Sequence, residues 1–420
     1  MMKKTSLLAL TAATLLLGVA HAAHADDKPF AGKSITVLLP SPQDETMAAD
    51  FEKATGIKVD LQTASWDDVS TKVSTALLAG TAPADVTEFD WSWTGQFAAA
   101  GWYIPLNDVV SKETQEDIKG SSLFNINGQL LAVPYTNDFR VMLVNKKQFE
   151  DAGVKTMPKT LDELVAAAKA IKAKGAVKYP IGLPLSATEG ASTSWYLLTK
   201  AFGGDLFDKD MNPIFIAKDS AGYKAMAFEM QLLKDGLVDP ASTELKDSDI
   251  NDTVFAKGLT SIMISGEPGR LGQYADPKQS DVAGQVAAIP VVTASGKTRS
   301  FGLLEGLGIP KPSTNAGPAK EFIKWMTSKE FQIHNYSNGV LPTRTSALAD
   351  LQKAGTLISG EALVAQAPTV EPLFPAGAPS WYNQFSLAVN TSINSVAKGQ
   401  ISIDEAMKRI ADAVTEAKKQ

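Results

Sequence analysis

The chain contains no cysteine, and only three histidines occur among its 420 residues. Without thiols there are no disulfides, so stability must come from buried cores, and the chain is long enough for two. His21 and His24 sit in the first 25 residues, which leaves His334 for everything that follows. One histidine and no cysteine exclude the usual tetrahedral zinc site and a Cys–His nucleophile pair, and a Ser–His–Asp triad would have to use His334. That residue lies in SKEFQIHNYSNG, an amphipathic helical pattern, where it reads as structural. Positive charge is scarce too: 40 Lys and Arg against 46 Asp and Glu give a formal net charge of −6. An acidic chain is unsuited to polyanions, which argues against nucleic acid and anionic membrane surfaces as partners.

Long apolar runs are confined to the start. MMKKTSLLALTAATLLLGVAHAAHA has Lys3 and Lys4, an apolar stretch from Leu7 to Ala20, and small residues at Ala23 and Ala25. This is the plan of a secretory signal peptide over residues 1–25, cut after Ala25 or, as second choice, after Ala22. The apolar stretch is shorter than the roughly 18–20 residues that span a bilayer. Loss of the two lysines takes the charge from −6 to −8. No cysteine follows to carry a lipid, so an exported and untethered protein is expected.

The remaining sequence alternates strand and helix patterns. SITVLL (34–39) is β-branched and reads as a strand. PQDETMAADFEKATG (42–56) places Met47, Phe51 and Ala54 at helical spacing and stops at Gly56. IKVDLQT (57–63) alternates as a strand should, which completes a βαβ unit with a parallel pair. Further helices are expected over 66–80, 94–101 and 160–175, the last with a Thr160–Glu163 capping box and a Gly175 stop. Strands are expected over 84–89, 139–145 and 260–265, and RSFGLLEGLGIP (299–310) is extended. APTVEPLFPAGAPS (367–380) is a proline-rich loop, and a terminal amphipathic helix begins with a second capping box at Ser402 and Glu405. The fold class is therefore α/β, with two parallel-sheet lobes. Ligands of such sheets sit beyond the strands' carboxyl ends, here PSPQDE (40–45), DWSW (90–93) and SGEPGR (265–270).

From Ser34 onward, ordered blocks carry a family resemblance: APADVTEFDWSWTGQFAAAGWYIPL, AVPYTNDFRVMLVNKKQFEDAGV, PKTLDELVAAAKAIK, FAKGLTSIMISGEPG, LGIPKPSTNAGPAKEFIKWM and GVLPTR. In order, spacing and position behind a signal peptide, the chain resembles the extracellular solute-binding proteins of ABC importers, in the sugar-binding branch related to maltose-binding protein. The resemblance implies a periplasmic, monomeric, non-enzymatic protein without cofactor or metal. It would capture a small carbohydrate or sugar alcohol by hinge closure and deliver it to the transmembrane permease subunits. The block positions put the hinge crossings near 134–140, 301–307 and 336–344. The N-lobe would then be 26–137 plus 302–338, and the C-lobe 138–301 plus 339–420.

A sugar ring has hydroxyls at its edge and C–H patches on its faces, so carboxylates, amides and aromatic rings are the expected contacts. An extended 90–93 would turn Asp90 and Ser92, the favoured pair, toward the ligand and Trp91 and Trp93 the other way, or the reverse. A turn exposing a mixture, or both indoles in the core, are the alternatives. In the hinge block, Asn137, Asp138 and Arg140 are candidates; Asp138 matches an acidic sugar contact of the maltose-binding branch, and a hinge ion pair with Arg140 is the alternative. Trp381 matches a stacking tryptophan of that branch, with Tyr382 beside it reading as packing. Trp195 is placed on the C-lobe wall or in the core. Glu305, alone in an apolar strand, needs a ligand hydroxyl or an arginine. Glu267 and Arg270 lie in SGEPGR, where many relatives have an aromatic residue after SGE; its loss here weighs against large oligosaccharides. Glu45 and Trp66 complete the candidate set.

Three other readings compete. Arg140 and Arg270 would suit a phosphorylated or sulfonated polyol, and an acidic, aromatic cleft would suit a polyamine. A carboxylate pair could in principle make a glycoside hydrolase. Iron-binding relatives use adjacent tyrosines, and no two tyrosines are neighbours here.

Overall fold

The structure is a computed structural model that describes residues 28–40, 43–44, 46–118, 120–375 and 377–419. The signal segment with its cleavage site and Glu45 lie outside the described residues. The first βαβ unit forms as its pattern predicts. Strand β1 (Ser34–Pro40) leads through helix Met47–Thr55 to β2 (Lys58–Ala64), and the two strands pair in parallel along their whole length. Gly56 ends the helix with φ +75°, a left-handed conformation that costs glycine little. Phe51 is buried from the helix against Phe322, at 5.1 Å between ring centroids in an edge-on pair.

The other strands of the two sheets are β3 (Val86–Asp90), β4 (Val133–Asn137), β5 (Val141–Asn145), β6 (Ile181–Gly182), β7 (Ile262–Gly266), β8 (Val286–Ile289) and β9 (Leu304–Gly308). One sheet has the order β2-β1-β3-β9-β4 and the other β8-β5-β7-β6. Helices flank both, and the fold is α/β with two lobes. The sheets are mixed rather than purely parallel. β9 runs antiparallel to β3 and β4, and β5 runs antiparallel to β7 and β8. The cause is connectivity. A parallel neighbour needs a crossover helix, whereas β4 feeds β5 through residues 138–140 alone and β9 enters directly from the Phe301 side of the other lobe.

The glycine-rich LEGLG of β9 has a steric origin. A Cβ on Gly308 would lie 2.6 Å from the Tyr103 ring. Only glycine lets this strand pass under the aromatic cluster in which Phe97 and Tyr103 stack and Phe89 meets both edge-on. The capping box at Thr160 and Glu163 is complete. At Ser402 only half of it forms, because Glu405 turns to Arg409 at 2.5 Å. Within the proline-rich segment, Val370–Glu371 adds a short parallel pairing to Ser300–Phe301, held by Arg299 on Glu371 at 2.5 Å. No described helix is long and apolar enough to cross a membrane.

One core position carries a testable cost. Glu229, on helix Ala221–Lys234, is wholly buried, and neither carboxylate oxygen finds a partner among the described residues. Burial therefore pushes its pKa well above the usual carboxylate range. The folded state holds a proton that the unfolded chain releases, so this contribution is full below the unfolded pKa and declines as pH rises toward the folded one. Glu229→Leu should raise stability by about 1–3 kcal/mol at pH 8 and by less at pH 4, read from thermal midpoints. Equal gains at both pH values would contradict the assignment.

Candidate ligand cleft

Two chain segments pass between the two sheets, and a third, residues 340–343, lies beside them. Between β4 and β5, the Asp138 amide donates to the Leu303 carbonyl at 2.8 Å and the Arg140 amide to Phe301 at 3.0 Å. The Asn137 amide donates to Leu341 at 2.9 Å, which brings in the third segment. Gln332 fastens that segment, donating through Nε2 to Thr343 Oγ1 at 2.8 Å and to the Tyr135 carbonyl at 3.3 Å. A Cβ on Gly269 would fall 2.3 Å from the Gly339 carbonyl oxygen. Glycine there permits close approach of the loop after β7 to the third segment.

A cavity of about 810 Å³ opens beside this junction, lined by strand residues of the first sheet and by Arg140 and Glu267, which flank strands of the second. Its size suits a small molecule. Of the sequence candidates, Trp66, Asp90, Trp91, Ser92, Asn137, Asp138, Arg140, Glu267, Arg270 and Glu305 line it. Trp93, Trp195 and Trp381 do not. Trp93 is buried between Trp66 at 5.5 Å and Phe97 at 5.3 Å. Trp195 is wholly buried, donates its Nε1–H to the Gly222 carbonyl at 2.8 Å and meets Phe215 edge-on. Trp381 packs on Phe207, Phe374 and Phe385 in the C-terminal aromatic cluster. Indoles with this much apolar contact are core, and their sequence neighbours do not reveal it.

The stretch 90–93 is not extended. Asp90 ends β3 and its Oδ1 accepts the Ser92 amide at 2.8 Å, which starts a single 3₁₀ turn over Trp91–Trp93. Strict alternation is lost, so Asp90, Trp91 and Ser92 all reach the cavity while Trp93 points into the core. Asp90 Oδ2 accepts from Trp66 Nε1 at 3.3 Å. Trp66 is half-buried at the start of helix Trp66–Leu78, capped by Ser65. An indole face and a carboxylate are thereby fixed side by side in the wall.

Among the described residues, nine carboxylates and four basic side chains line the cavity. Arg140, 7% exposed, holds Asp138 at 3.1 Å and Glu267 at 3.1 Å. Arg270 holds Glu267 at 2.5 Å and Asp252 at 2.8 Å. Burial opposes ionisation of Glu267, but the Arg270 and Arg140 guanidiniums outweigh it and keep the carboxyl well below its usual range. Neighbouring Asp247 moves the other way, raised by burial and then by the Glu267 charge. Asp90 is pushed up to about 6 by burial, against the pull of the Ser92 and Trp66 hydrogen bonds and of Arg140. One oxygen each from Glu88, Asp90 and Glu305 lie within 4.8 Å of one another, which is the spacing at which a metal ion could sit. Glu88 is fully buried behind the wall and accepts from the Tyr135 hydroxyl at 3.0 Å.

Sequence reading missed Glu189, Asp247 and Asp67 as lining residues. Glu189 opens helix Glu189–Ala201, where an acid is ordinary; its pKa is pushed up to about 7 by burial, against the Ser386 and Tyr382 hydrogen bonds. Nothing local in SATEGAST distinguishes it. Asp67 follows a candidate, Trp66, in the first helical turn and was hidden for the same reason.

The family model for bacterial extracellular solute-binding proteins matches residues 39–333. The diacetylchitobiose binding protein DasA of Streptomyces coelicolor is 28% identical over 390 residues, which cover 90% of this chain and 88% of the relative. A probable amino-acid ABC transporter periplasmic-binding protein of Sinorhizobium fredii is 27% identical over 319 residues, covering 73% and 70%. Among solved structures, a solute-binding protein of Thermotoga lettingae bound to α-D-tagatose superimposes with TM-score 0.80 at 24% identity, over 92% of this chain and 99% of its own. One from Agrobacterium radiobacter in complex with ribitol gives 0.80 at 20% identity, over 93% and 99%.

Proposed function

We propose that this chain, which belongs to the bacterial extracellular solute-binding protein family, captures a small carbohydrate or sugar alcohol in the cleft. It then hands the solute unchanged to the membrane permease of an ABC transporter. The observation that carries this reading is the Trp66–Asp90 pair in the cavity wall, an apolar face bonded to a carboxylate. A ring face stacks on the first while edge hydroxyls donate to the second. The ligands of the structural neighbours, tagatose and ribitol, are of the same class.

The two arginines speak against the acidic-polyol reading, because both are already engaged by carboxylates. We assign the N-lobe to 26–137 plus 302–338 and the C-lobe to 138–301 plus 339–420, with closure about the three linked segments. Work at the outer face of the membrane fits a monomer released into the periplasm by its signal peptide. A thermal-shift screen over sugars, sugar alcohols, acidic sugars and polyamines tests the reading. A ligand that binds only the folded state adds about 2.7 kcal/mol at a hundred times its Kd, so at least one neutral sugar or polyol should raise the melting point. Stabilisation by acidic sugars alone would contradict it.

A further inference from the structure

The floor of the cleft gathers three carboxyl groups, and none of them forms an ion pair among the described residues. Asp90 and Glu305 stand opposite each other on the adjacent antiparallel strands β3 and β9, and Glu88 lies just behind them. No described lysine or arginine comes within 4.0 Å of any of the three. The neighbouring Arg140 is bound to Asp138 and Glu267 instead. Asp90 receives two N–H donors, from Ser92 and Trp66, and neither is charged. Among the described residues, Glu88 receives only the Tyr135 hydroxyl on one oxygen, and its buried Oε1 has no partner.

A second observation is independent of the acids. Ser92 is 3% exposed, lines the cavity, and its Oγ has no hydrogen-bond partner among the described residues. A buried hydroxyl without a partner, next to carboxyl groups without a cation, leaves hydrogen-bonding capacity open toward the cavity. One sugar hydroxyl donates a single hydrogen and brings no charge. An ammonium group donates three and cancels a negative charge.

We propose that the solute carries a primary amine, as an amino sugar or amino polyol, whose ammonium sits between Asp90, Glu305 and Ser92. Glu88 lies behind the pair, fully buried, and does not reach the cavity. The inference rests on the carbohydrate reading above and sharpens it.

The test is calorimetric titration of the purified chain with matched pairs: sorbitol and 1-amino-1-deoxysorbitol, glucose and glucosamine, galactose and galactosamine. Spermidine and calcium chloride are titrated alongside. A charged hydrogen-bonding group should make at least one amine bind about tenfold or more tighter than its hydroxyl partner. Glu305→Gln should collapse that ratio toward one; if the variant does not fold, the wild-type ratio decides alone. Equal affinities within every pair, or tighter binding of the hydroxyl members, would overturn the amine and leave the carbohydrate reading standing. Binding of spermidine or calcium with no carbohydrate bound, or binding of nothing in the panel, would count against both.

Discussion

Arg140→Ala should destabilise the folded chain by about 3–5 kcal/mol, the cost of leaving buried carboxylates without their cation. Arg140 is almost fully enclosed and is the only described cation within 4.0 Å of Asp138. It also shares Glu267 with Arg270 and sits where the chain passes from one sheet to the other, so lost charge compensation becomes lost geometry at the lobe junction. The sign with pH follows from Glu267. Its pKa is held low in the folded state, so the stability it contributes is present above the unfolded pKa and disappears as pH falls. Urea titrations should show the largest gap between wild type and variant near pH 7 and a smaller one near pH 4. Adding Asp138→Asn and Glu267→Gln to the variant should recover part of the loss. A gap below about 1 kcal/mol at pH 7, the range of an exposed pair, would show that the junction does not depend on this cation.

Trp66→Ala should weaken binding of the stabilising sugar or polyol by about 2 kcal/mol or more, roughly 30-fold, as for a central aromatic contact. Folding should suffer much less, because the indole is half-exposed at the start of its helix. Trp66→Phe should fall between, since it keeps a ring face and loses the donor to Asp90. Trp195 is the contrasting case. Its indole is wholly buried and bonded to the Gly222 carbonyl, so truncation there should lower the melting point. Unchanged affinity in Trp66→Ala would remove the indole from the site.

Much of the scaffold could be read from the residues because local signals and tertiary context agree. Gly56 and Gly101 stop their helices in left-handed conformations, and Thr160 with Glu163 closes a full capping box. The mixed strand directions were not legible, because direction depends on which lobe the chain arrives from and leaves no local trace. The site divides in the same way. Glu305 stood out because a lone carboxylate in an apolar strand needs a partner. Asp138, with Arg140 as its pairing partner, came from the family resemblance, and Glu267 from its place in the SGEPGR block beyond a strand end. Among tryptophans the sequence has no such signal. Trp66 and Trp91 reach the cavity, while Trp93, Trp195 and Trp381 fill the core. Period-two alternation failed over 90–93 because the Asp90 carboxylate captured the Ser92 amide and wound the chain into a turn. Glu189 and Asp247 reach the cleft through folding of distant segments, and neither carries a distinguishing neighbour.

The most direct test is a calorimetric titration of wild type and Asp90→Ala with whichever sugar or polyol raises the melting point most. A reversible carrier predicts one site per chain, a Kd of micromolar order or about −8 kcal/mol, no heat after saturation, and strongly weakened binding in the variant. Heat that continues at a steady rate once the site is full, or binding undiminished by loss of Asp90, would contradict it.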